Sequence, residues 1–301
     1  MPVNTEGSAR EREAYLVMAV LSLIWGYNWV VIRIATTDGS PIFVATLRTA
    51  IGAFTLLLVI AARRQLRPTP FVPTLVLGLL QTFAFTILQT IAVALGGAGK
   101  VAVLAYTMPF WATLFAWPFL GERIVGIRWL ALALAAVGLG FVAAPFNAST
   151  MWGDILAVLA GLAWGASVVW ARRLQVRDKL ELLPLTAWQT VWAFIPMLVI
   201  ALIVPEHVHW TDGFVAAMLF LGVAQGVAWT MWLFVLGRLP AGVAGIASLA
   251  TPVLGVAFAA LQLHEIPSHS ELFGMALIIG ALALNTVPGL AGAMRQPRAT
   301  G

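Results

Sequence analysis

Residues 14–35 read AYLVMAVLSLIWGYNWVVIRIA, an apolar run in which Arg33 is the single charged residue. About 20 predominantly apolar residues are enough for a helix to cross the hydrocarbon core of a bilayer. A secretory signal peptide would have an apolar region of only about 7–15 residues, followed by a small-residue cleavage site that this run lacks. We therefore interpret residues 14–35 as a membrane-spanning helix.

Nine further stretches have the same apolar character and are separated by charges, Pro or Gly. Because Gly and Pro occur inside long apolar runs, without the alternating polarity of barrel strands, the runs indicate helices. We predict an all-α polytopic membrane protein with ten transmembrane helices. The predicted spans are residues 14–35, 41–61, 71–95, 98–120, 127–144, 152–171, 183–204, 213–236, 241–262 and 271–292.

The composition excludes several other classes of protein. The chain of 301 residues is 61% hydrophobic and 10% charged, whereas soluble domains average about 45–50% apolar and about 25% charged residues. Its net charge of +5 is spread too thinly over so apolar a chain to form a nucleic-acid groove. Without cysteine there is no disulfide or thiolate metal site, and the four histidines match no zinc pattern. We expect no cofactor, no metal and no nucleic-acid partner.

The basic residues are distributed unevenly between the two sides of the predicted membrane domain. Of the 17 Lys and Arg residues, Arg33 and Lys100 fall on the side opposite the termini and Arg48 lies within a span, which leaves 14 on the side of the termini. Cytoplasmic loops of membrane proteins carry an excess of Lys and Arg. We therefore predict a multi-pass protein of the bacterial inner membrane with both termini in the cytoplasm.

The chain also contains two similar halves, offset by about 140 residues. Each half has five spans, so the second would enter the membrane with inverted topology, an architecture typical of secondary transporters. The predicted units are a tail (1–13), a first repeat (14–144), a linker (145–151), a second repeat (152–292) and a tail (293–301). The matching segments are Trp25-Gly26-Tyr27-Asn28 and Trp164-Gly165-Ala166-Ser167, Arg48-Thr49 and Gln189-Thr190, Gly138 and Gly280, and the segments from Pro109 to Glu122 and from Pro252 to Glu265.

These paired motifs resemble the drug/metabolite transporter superfamily of the EamA type over essentially the whole chain. More narrowly, the chain is similar to the bacterial YddG-like aromatic amino-acid exporters. The family pattern is not followed everywhere: Trp129-Leu130 stands where a glycine is usual, and His264-Glu265 replaces Gly-Glu. The resemblance implies a carrier and not an enzyme.

Polar and aromatic residues within the spans are the candidates for a substrate path. Asn28 lies near mid-membrane, where an unbonded polar side chain is unfavourable, so it should face the interior. Gln81, Phe85 and Gln89 share one helix face, and an amide beside an aromatic ring suits an amphipathic ligand. The alternative for each is a hydrogen bond between packed helices. The predicted substrate path comprises Trp25, Asn28, Arg48, Gln81, Phe85, Gln89, Tyr106, Thr107, Trp164, Ser167, Gln225, Trp229 and Ser248.

Arg48 is the basic residue that lies deepest within a predicted span, about 10 Å from its non-cytoplasmic end at about 1.5 Å of rise per residue. Its side chain could extend to that interface, which is the interpretation favoured by the depth. The alternative is that the guanidinium attracts the carboxylate of a substrate.

Four further residues are predicted to permit close packing or bending. Gly26 and Gly165 would let a neighbouring backbone or ligand approach closely. Pro109 and Pro252 fall near the middle of equivalent spans, where proline would deprive the carbonyls of Ala105 and Ser248 of their helical partners. Interruptions at corresponding positions of two repeats indicate the centre of a transporter.

The sequence therefore predicts a secondary transporter that exports small amphipathic metabolites, chiefly amino acids including aromatic ones, by alternating access. Because no Asp or Glu lies in mid-span, we expect facilitated diffusion over tight proton coupling. The alternative is a proton-coupled exporter of drugs, quaternary amines or nucleosides. An intramembrane enzyme and a channel are more distant alternatives for the function. Against an enzyme, the sequence contains no H-E-x-x-H or G-x-S-x-G motif. The expected partners are the substrate and membrane lipid, with the chain a monomer or weak dimer.

Overall fold

The computed structural model describes residues 5–124, 126–143, 148–204, 208–239, 244 and 247–295, nearly all of them helical. Within these residues a lone antiparallel bridge joins Gly39 to Val208. The helices are α1 (Thr5–Asp38), α2 (Pro41–Ala62), α3 (Phe71–Gly96), α4 (Ala98–Leu120), α5 (Ile127–Ala143), α6 (Ala148–Asp178), α7 (Leu182–Ile203), α8 (Asp212–Leu236), α9 (Ala250–Leu263) and α10 (His269–Arg295).

Each predicted span coincides with one of these helices, which confirms the all-α fold. In the part of the chain that the structure describes, seven helices are long and apolar enough to cross a membrane, and α5, α9 and α10 contain shorter apolar segments. Helix α6 continues to Asp178, beyond the predicted end at 171, because a helix can extend past the apolar run into charged residues. Helices α1 and α10 likewise extend into the predicted tails. Of the predicted ninth span, residues 241–243, 245 and 246 lie outside the described residues, and α9 begins at Ala250.

The helices of the two halves interdigitate with an approximate internal symmetry. Helix α1 packs against α8 and α9, and its counterpart α6 packs against α3 and α4. Helix α2 packs against α7, and α5 against α10, so each of these helices meets its own counterpart. The hydrophobic core is therefore formed jointly by both halves.

Glycines permit several of these helix crossings. A Cβ atom on Gly26 would lie 2.6 Å from Leu254 Cβ of α9, and one on Gly165 would lie 2.6 Å from Trp111 Cβ of α4. Where α5 meets α10, a Cβ on Gly138 would lie 2.8 Å from the Gly274 carbonyl oxygen. Gly280, the residue that the repeat pairs with Gly138, has no such neighbour within 4 Å. Small residues thus set the distance between helices, as is common in membranes.

Helices α3 and α4 are irregular near their middles. In α3, residues Leu79–Ala84 form a π-helical turn between two α-helical segments, Phe71–Gly78 and Phe85–Gly96. In α4, a first segment (Ala98–Ala105) is separated from a second (Met108–Leu120) by a turn at Tyr106 and Thr107. π-turns within α-helices occur frequently at functional sites.

The two prolines do not lie inside continuous helices as the sequence predicted. Pro109 is the second residue of the second segment of α4, and Pro252 is the third residue of α9. A proline fits the first turn of a helix because the N–H that it lacks would have no helical partner there. The Ser248 carbonyl, predicted to lose its partner, accepts a hydrogen bond from the Thr251 N–H at 3.0 Å.

Candidate functional site

A cavity lies at the centre of the bundle, at about the middle of the helices that surround it. Its empty volume is about 850 Å³, which includes space open to solvent. Small-molecule sites are typically clefts of about 300–1,000 Å³ with mostly apolar walls and a few polar groups. The walls come from α1, α2, α3, α4, α6 and α8, so both halves of the chain contribute.

Ten of the thirteen residues predicted for the substrate path line this single cavity. They are Trp25, Asn28, Arg48, Gln81, Phe85, Gln89, Tyr106, Trp164, Gln225 and Trp229. The other three lie outside its lining. The buried Thr107 hydroxyl donates to the Leu104 carbonyl, and the buried Ser167 hydroxyl donates to the Trp164 carbonyl, each at 2.7 Å. Ser248 lies just before α9 and is not among the lining residues.

The structure adds seven lining residues that the sequence did not single out: Ile24, Trp29, Thr82, Thr86, Ala105, Met108 and Ala224. Trp29 directly follows Asn28 on α1. Thr82 and Thr86 each follow a predicted residue by one position. Both threonines lie on the helix face of Gln81, Phe85 and Gln89, because residues one, four and five positions apart share one side of a helix.

Three rings from three helices form an aromatic wall, which we define as Phe85, Trp164 and Trp229. The Trp164 and Trp229 rings stack with their centroids 5.7 Å apart and their planes 13° apart. Phe85 meets Trp164 edge-on at 4.5 Å. Such a wall offers flat apolar surface to a ligand, and aromatic pairs contribute about 0.5–1.5 kcal/mol beyond the area they bury.

Arg48 lines the cavity and does not extend to the membrane interface, contrary to the interpretation favoured from its depth. Its residue surface is only 6% exposed, and its Nε and Nη1 atoms are buried without a hydrogen-bond acceptor among the described residues. The Gln225 side chain lies over Gly52, one helical turn from Arg48, and its Oε1 atom is also buried without a partner. This part of the cavity thus presents a cation and an amide.

The residue that the repeat pairs with Arg48 is in a different situation. Gln189 on α7 is fully buried, and its Oε1 accepts a hydrogen bond from the Thr82 hydroxyl at 3.1 Å. Gln189 therefore has a protein partner, whereas the two guanidinium nitrogens of Arg48 do not. The two paired positions therefore differ in charge: Arg48 brings a cation to the cavity, and Gln189 is neutral.

We call the end of the bundle that contains Gly39, Gly97 and Glu265 the outer end, since the excess of Arg and Lys at the opposite end predicts that the opposite end is cytoplasmic. At the outer end, Glu265 accepts a hydrogen bond from the Ala98 N–H at 2.7 Å and lies 3.6 Å from the Arg33 guanidinium. Lys100 lies 2.8 Å from Asp154 and 3.4 Å from Glu271. We call Lys100, Asp154 and Glu271 the outer ionic cluster, which links α4, α6 and α10.

Helices α4 and α9 pack together along the first segment of α4. The first segment of α4 packs against α9, where a Cβ on Gly255 would lie 3.0 Å from Ala102 Cβ. The second segment of α4 packs against α6 and α10 instead. Among the described residues, no group of three or more His, Cys, Asp or Glu side chains is placed to bind a metal ion.

Two segments of the chain, residues 12–144 and 151–287, each match the EamA-like transporter family. The chain belongs to the EamA-like transporter family. This membership confirms the resemblance drawn from the repeated motifs and makes the protein a membrane transporter, not an enzyme. The two EamA matches correspond to the two five-helix halves that line the cavity together.

Curated relatives of this EamA chain are also named as transporters. It is 28% identical to the uncharacterized transporter YoaV of Bacillus subtilis, over 88% of this chain and 94% of that protein. It is 26% identical to a probable amino-acid metabolite efflux pump of Escherichia coli, over 89% of this chain and 93% of that protein. A solved crystal structure at 19% identity shares the fold with a TM-score of 0.65, covering 96% of this chain and 99% of that one.

Proposed function

We propose that this EamA transporter exports small amphipathic metabolites that carry a carboxylate, chiefly amino acids including aromatic ones. The observation that carries the proposal is the unpaired Arg48 guanidinium in a central cavity that also contains the aromatic wall. An apolar cavity with a few convergent polar groups is the usual form of a small-molecule site. The name of the Escherichia coli relative, an amino-acid metabolite efflux pump, supports the same substrate class.

Each part of such a substrate has a chemically matching part of the cavity. A guanidinium can donate two parallel hydrogen bonds to a carboxylate, which gives both energy and orientation. The side-chain amides of Asn28, Gln81 and Gln89 offer donors and acceptors for further polar groups. The aromatic wall accommodates an apolar or aromatic side chain by stacking.

The mechanism that we propose is alternating access between the two repeats. The contacts of Arg33 with Glu265, and those of the outer ionic cluster, hold the helices together at the outer end. In the proposed cycle these contacts break as the two halves rearrange, and the cavity then opens outward. Since no Asp or Glu occurs among the described lining residues, we propose that the substrate moves down its own gradient without proton coupling.

The Arg48 charge also separates this proposal from the quaternary-amine alternative. A permanently cationic drug would be repelled by an unpaired guanidinium in the same cavity, where like charges interact more strongly than in water.

Counterflow of labelled phenylalanine in proteoliposomes tests the proposal, with Arg48→Gln, Arg48→Lys and Arg63→Gln as variants. We expect Arg48→Gln to reduce uptake by about tenfold or more, since a hydrogen bond to a charged group contributes about 1.5–3 kcal/mol. Arg48→Lys should retain part of the activity because it keeps the charge but loses the bidentate geometry. Arg63→Gln makes the same chemical change at the exposed C-terminal end of the same helix, α2. This variant should transport like the wild type.

Equal uptake by the wild type and Arg48→Gln, at equal amounts of monodisperse protein, would contradict the proposed role of Arg48. The same assay with an imposed proton gradient examines the coupling. Uphill accumulation of phenylalanine driven by that gradient would contradict facilitated diffusion.

A further inference from the structure

The charges around the central cavity are unbalanced. Arg48 is a cation, and no Asp or Glu occurs among the described residues that line the cavity. The remaining polar lining consists of amides, threonine hydroxyls, a tyrosine and tryptophan N–H groups, none of which carries a negative charge at neutral pH. The lining as described therefore has a net charge of +1.

Four carboxylates at the outer end of the bundle have partners other than Arg48. Asp154 and Glu271 flank Lys100, and Glu265 binds the N–H groups of Ala98 and Gly99 and faces Arg33. Asp38, the last residue of α1, accepts a hydrogen bond from the Thr211 hydroxyl at 2.7 Å. These residues have cationic or hydrogen-bonding partners of their own, so they do not neutralise Arg48.

An α-amino acid brings both charges to the same place. Its ammonium nitrogen and its carboxylate are attached to one carbon atom, so a carboxylate bound to Arg48 holds the ammonium group only a few ångströms from the guanidinium. Two like charges about 4 Å apart repel each other noticeably at the effective dielectric constant of a protein. With no acidic residue in the described lining, the ammonium group would have only neutral amides, hydroxyls and ring faces as partners.

We propose that the cavity selects ligands by net charge and transports aromatic monocarboxylate anions without an α-ammonium group in preference to zwitterionic amino acids. Deaminated aromatic amino acids, that is, aryl 2-oxo acids, belong to this class. Their carboxylate neutralises Arg48, their ring stacks on the aromatic wall, and their oxo group accepts a hydrogen bond from an amide. This inference rests on the proposed carrier function: amino acids remain among its substrates, and aromatic carboxylates without an ammonium group are added as a class that binds more strongly.

Transport of an anion also supplies a driving force that a zwitterion lacks. Export of a monoanion moves one negative charge out of the cell, and a membrane potential that is negative inside favours that movement. A carrier of this kind needs no coupling ion to concentrate its substrate outside. An acidic residue in mid-span, which the sequence lacks, is therefore unnecessary for net export.

The test compares three ligands that share one skeleton: phenylpyruvate (anion), L-phenylalanine (zwitterion) and phenethylamine (cation). Their uptake is measured at pH 7.5 in proteoliposomes, with protein-free liposomes as the leak control. We expect initial uptake of phenylpyruvate to exceed that of phenylalanine by about tenfold, the factor expected for one charged hydrogen bond that is not offset by repulsion. In Arg48→Gln this preference should disappear, and in Arg63→Gln it should persist.

A second measurement reports the charge that is moved. With valinomycin and a tenfold inward K⁺ gradient, the vesicle interior becomes positive, and a monoanion should accumulate about tenfold at equilibrium whereas phenylalanine should not accumulate. Arg48→Lys, which keeps the charge, should retain the preference for phenylpyruvate even if its rate falls.

The outcomes separate this inference from the proposed function. Uptake of phenylalanine without uptake of phenylpyruvate would overturn the charge preference and leave the proposed amino-acid carrier intact. Equal uptake of the two would overturn the preference as well. Absence of uptake for both, or selective uptake of phenethylamine, by monodisperse protein would overturn the proposed function together with this inference.

Discussion

Gly165 illustrates at the scale of one residue how closely the helices around the cavity pack. A Cβ atom at this position would lie 2.8 Å from the Met108 carbonyl oxygen and the same distance from the Ala112 nitrogen. These are backbone atoms of α4, so a change of rotamer cannot relieve the overlap. We expect Gly165→Ala to destabilise the protein by about 1–3 kcal/mol, the usual cost of overpacking. The apparent melting temperature of the purified protein in detergent measures the effect.

Gly140→Ala is the matched control for this substitution. Gly140 is exposed on α5 with no atom within 4 Å of its Cβ position. Alanine at such a helical site should be neutral or stabilise the protein by up to about 1 kcal/mol. If Gly165→Ala melted at or above the wild-type temperature, the close approach of α6 to α4 would be wrong.

Some cavity residues were predictable from the chemistry of their side chains alone. Asn28, Gln81, Gln89 and Arg48 stand out because a polar side chain within an apolar span needs a polar environment. Thr107 and Ser167 do not line the cavity because a hydroxyl can bond to a carbonyl of its own helix, an option that their sequence position does not reveal. Nor does the sequence distinguish a snorkelling Arg48 from one that faces the cavity, since both fit the same depth in the membrane.

At the scale of the elements, the outer ionic cluster should control how often the outer end opens. Asp154→Asn removes the charge 2.8 Å from Lys100 and leaves only the longer contact with Glu271. We expect the open state to become about tenfold more populated, because a charged hydrogen bond of about 1.5–3 kcal/mol is lost from the closed state. Labelling of Ala224→Cys in the cavity by an impermeant maleimide added to intact cells measures this opening.

A comparable ion pair at the other end of the bundle serves as the control. Arg67 and Glu181 lie 3.7 Å apart with side chains 79% and 54% exposed, so their pair contributes little. Glu181→Gln should therefore leave the labelling rate of Ala224→Cys unchanged. A labelling rate in Asp154→Asn that matched the parent protein would show that the cluster does not hold the outer end closed.

The existence of the helices was predictable, with some ends up to nine residues from the predicted ones, but the form of their irregularities was only partly predictable. The apolar run of residues 98–120 continues through Tyr106 and Thr107 without a charged residue. Its hydropathy therefore does not reveal that α4 has two segments. For the same reason Pro109 and Pro252 were placed inside helices, although each lies in a first turn. The π-turn of α3 likewise has no signature in hydropathy.

At the scale of the whole molecule, the distribution of basic residues predicts which end faces the cytoplasm. The chain has no native cysteine, so a single introduced cysteine reports without background. Ile266 is 82% exposed at the outer end, and Leu66 is 54% exposed at the opposite end. We expect an impermeant maleimide to label Ile266→Cys in intact cells, and to label Leu66→Cys only after the cells are permeabilised. If Leu66→Cys were labelled in intact cells and Ile266→Cys only after permeabilisation, the end that we call outer would face the cytoplasm.

The arrangement of the two halves was only partly predictable. Five spans per repeat and the matching motifs predict two related units, and two separate segments of the chain, 12–144 and 151–287, match the family. Which helices touch could not be read from the sequence, since the contact of Gly26 with Leu254 joins residues more than 200 positions apart. Such crossings depend on the complementary shape of two helix surfaces, which a single sequence does not encode locally.

The interdigitation of the halves has a consequence for biogenesis. The ribosome delivers α1 to the membrane long before it delivers α8 and α9, the helices against which α1 packs. Until then lipid or an insertion chaperone must shield this face of α1, including the notch at Gly26. The packing surface of α1 is therefore completed only after the second half of the chain has entered the membrane.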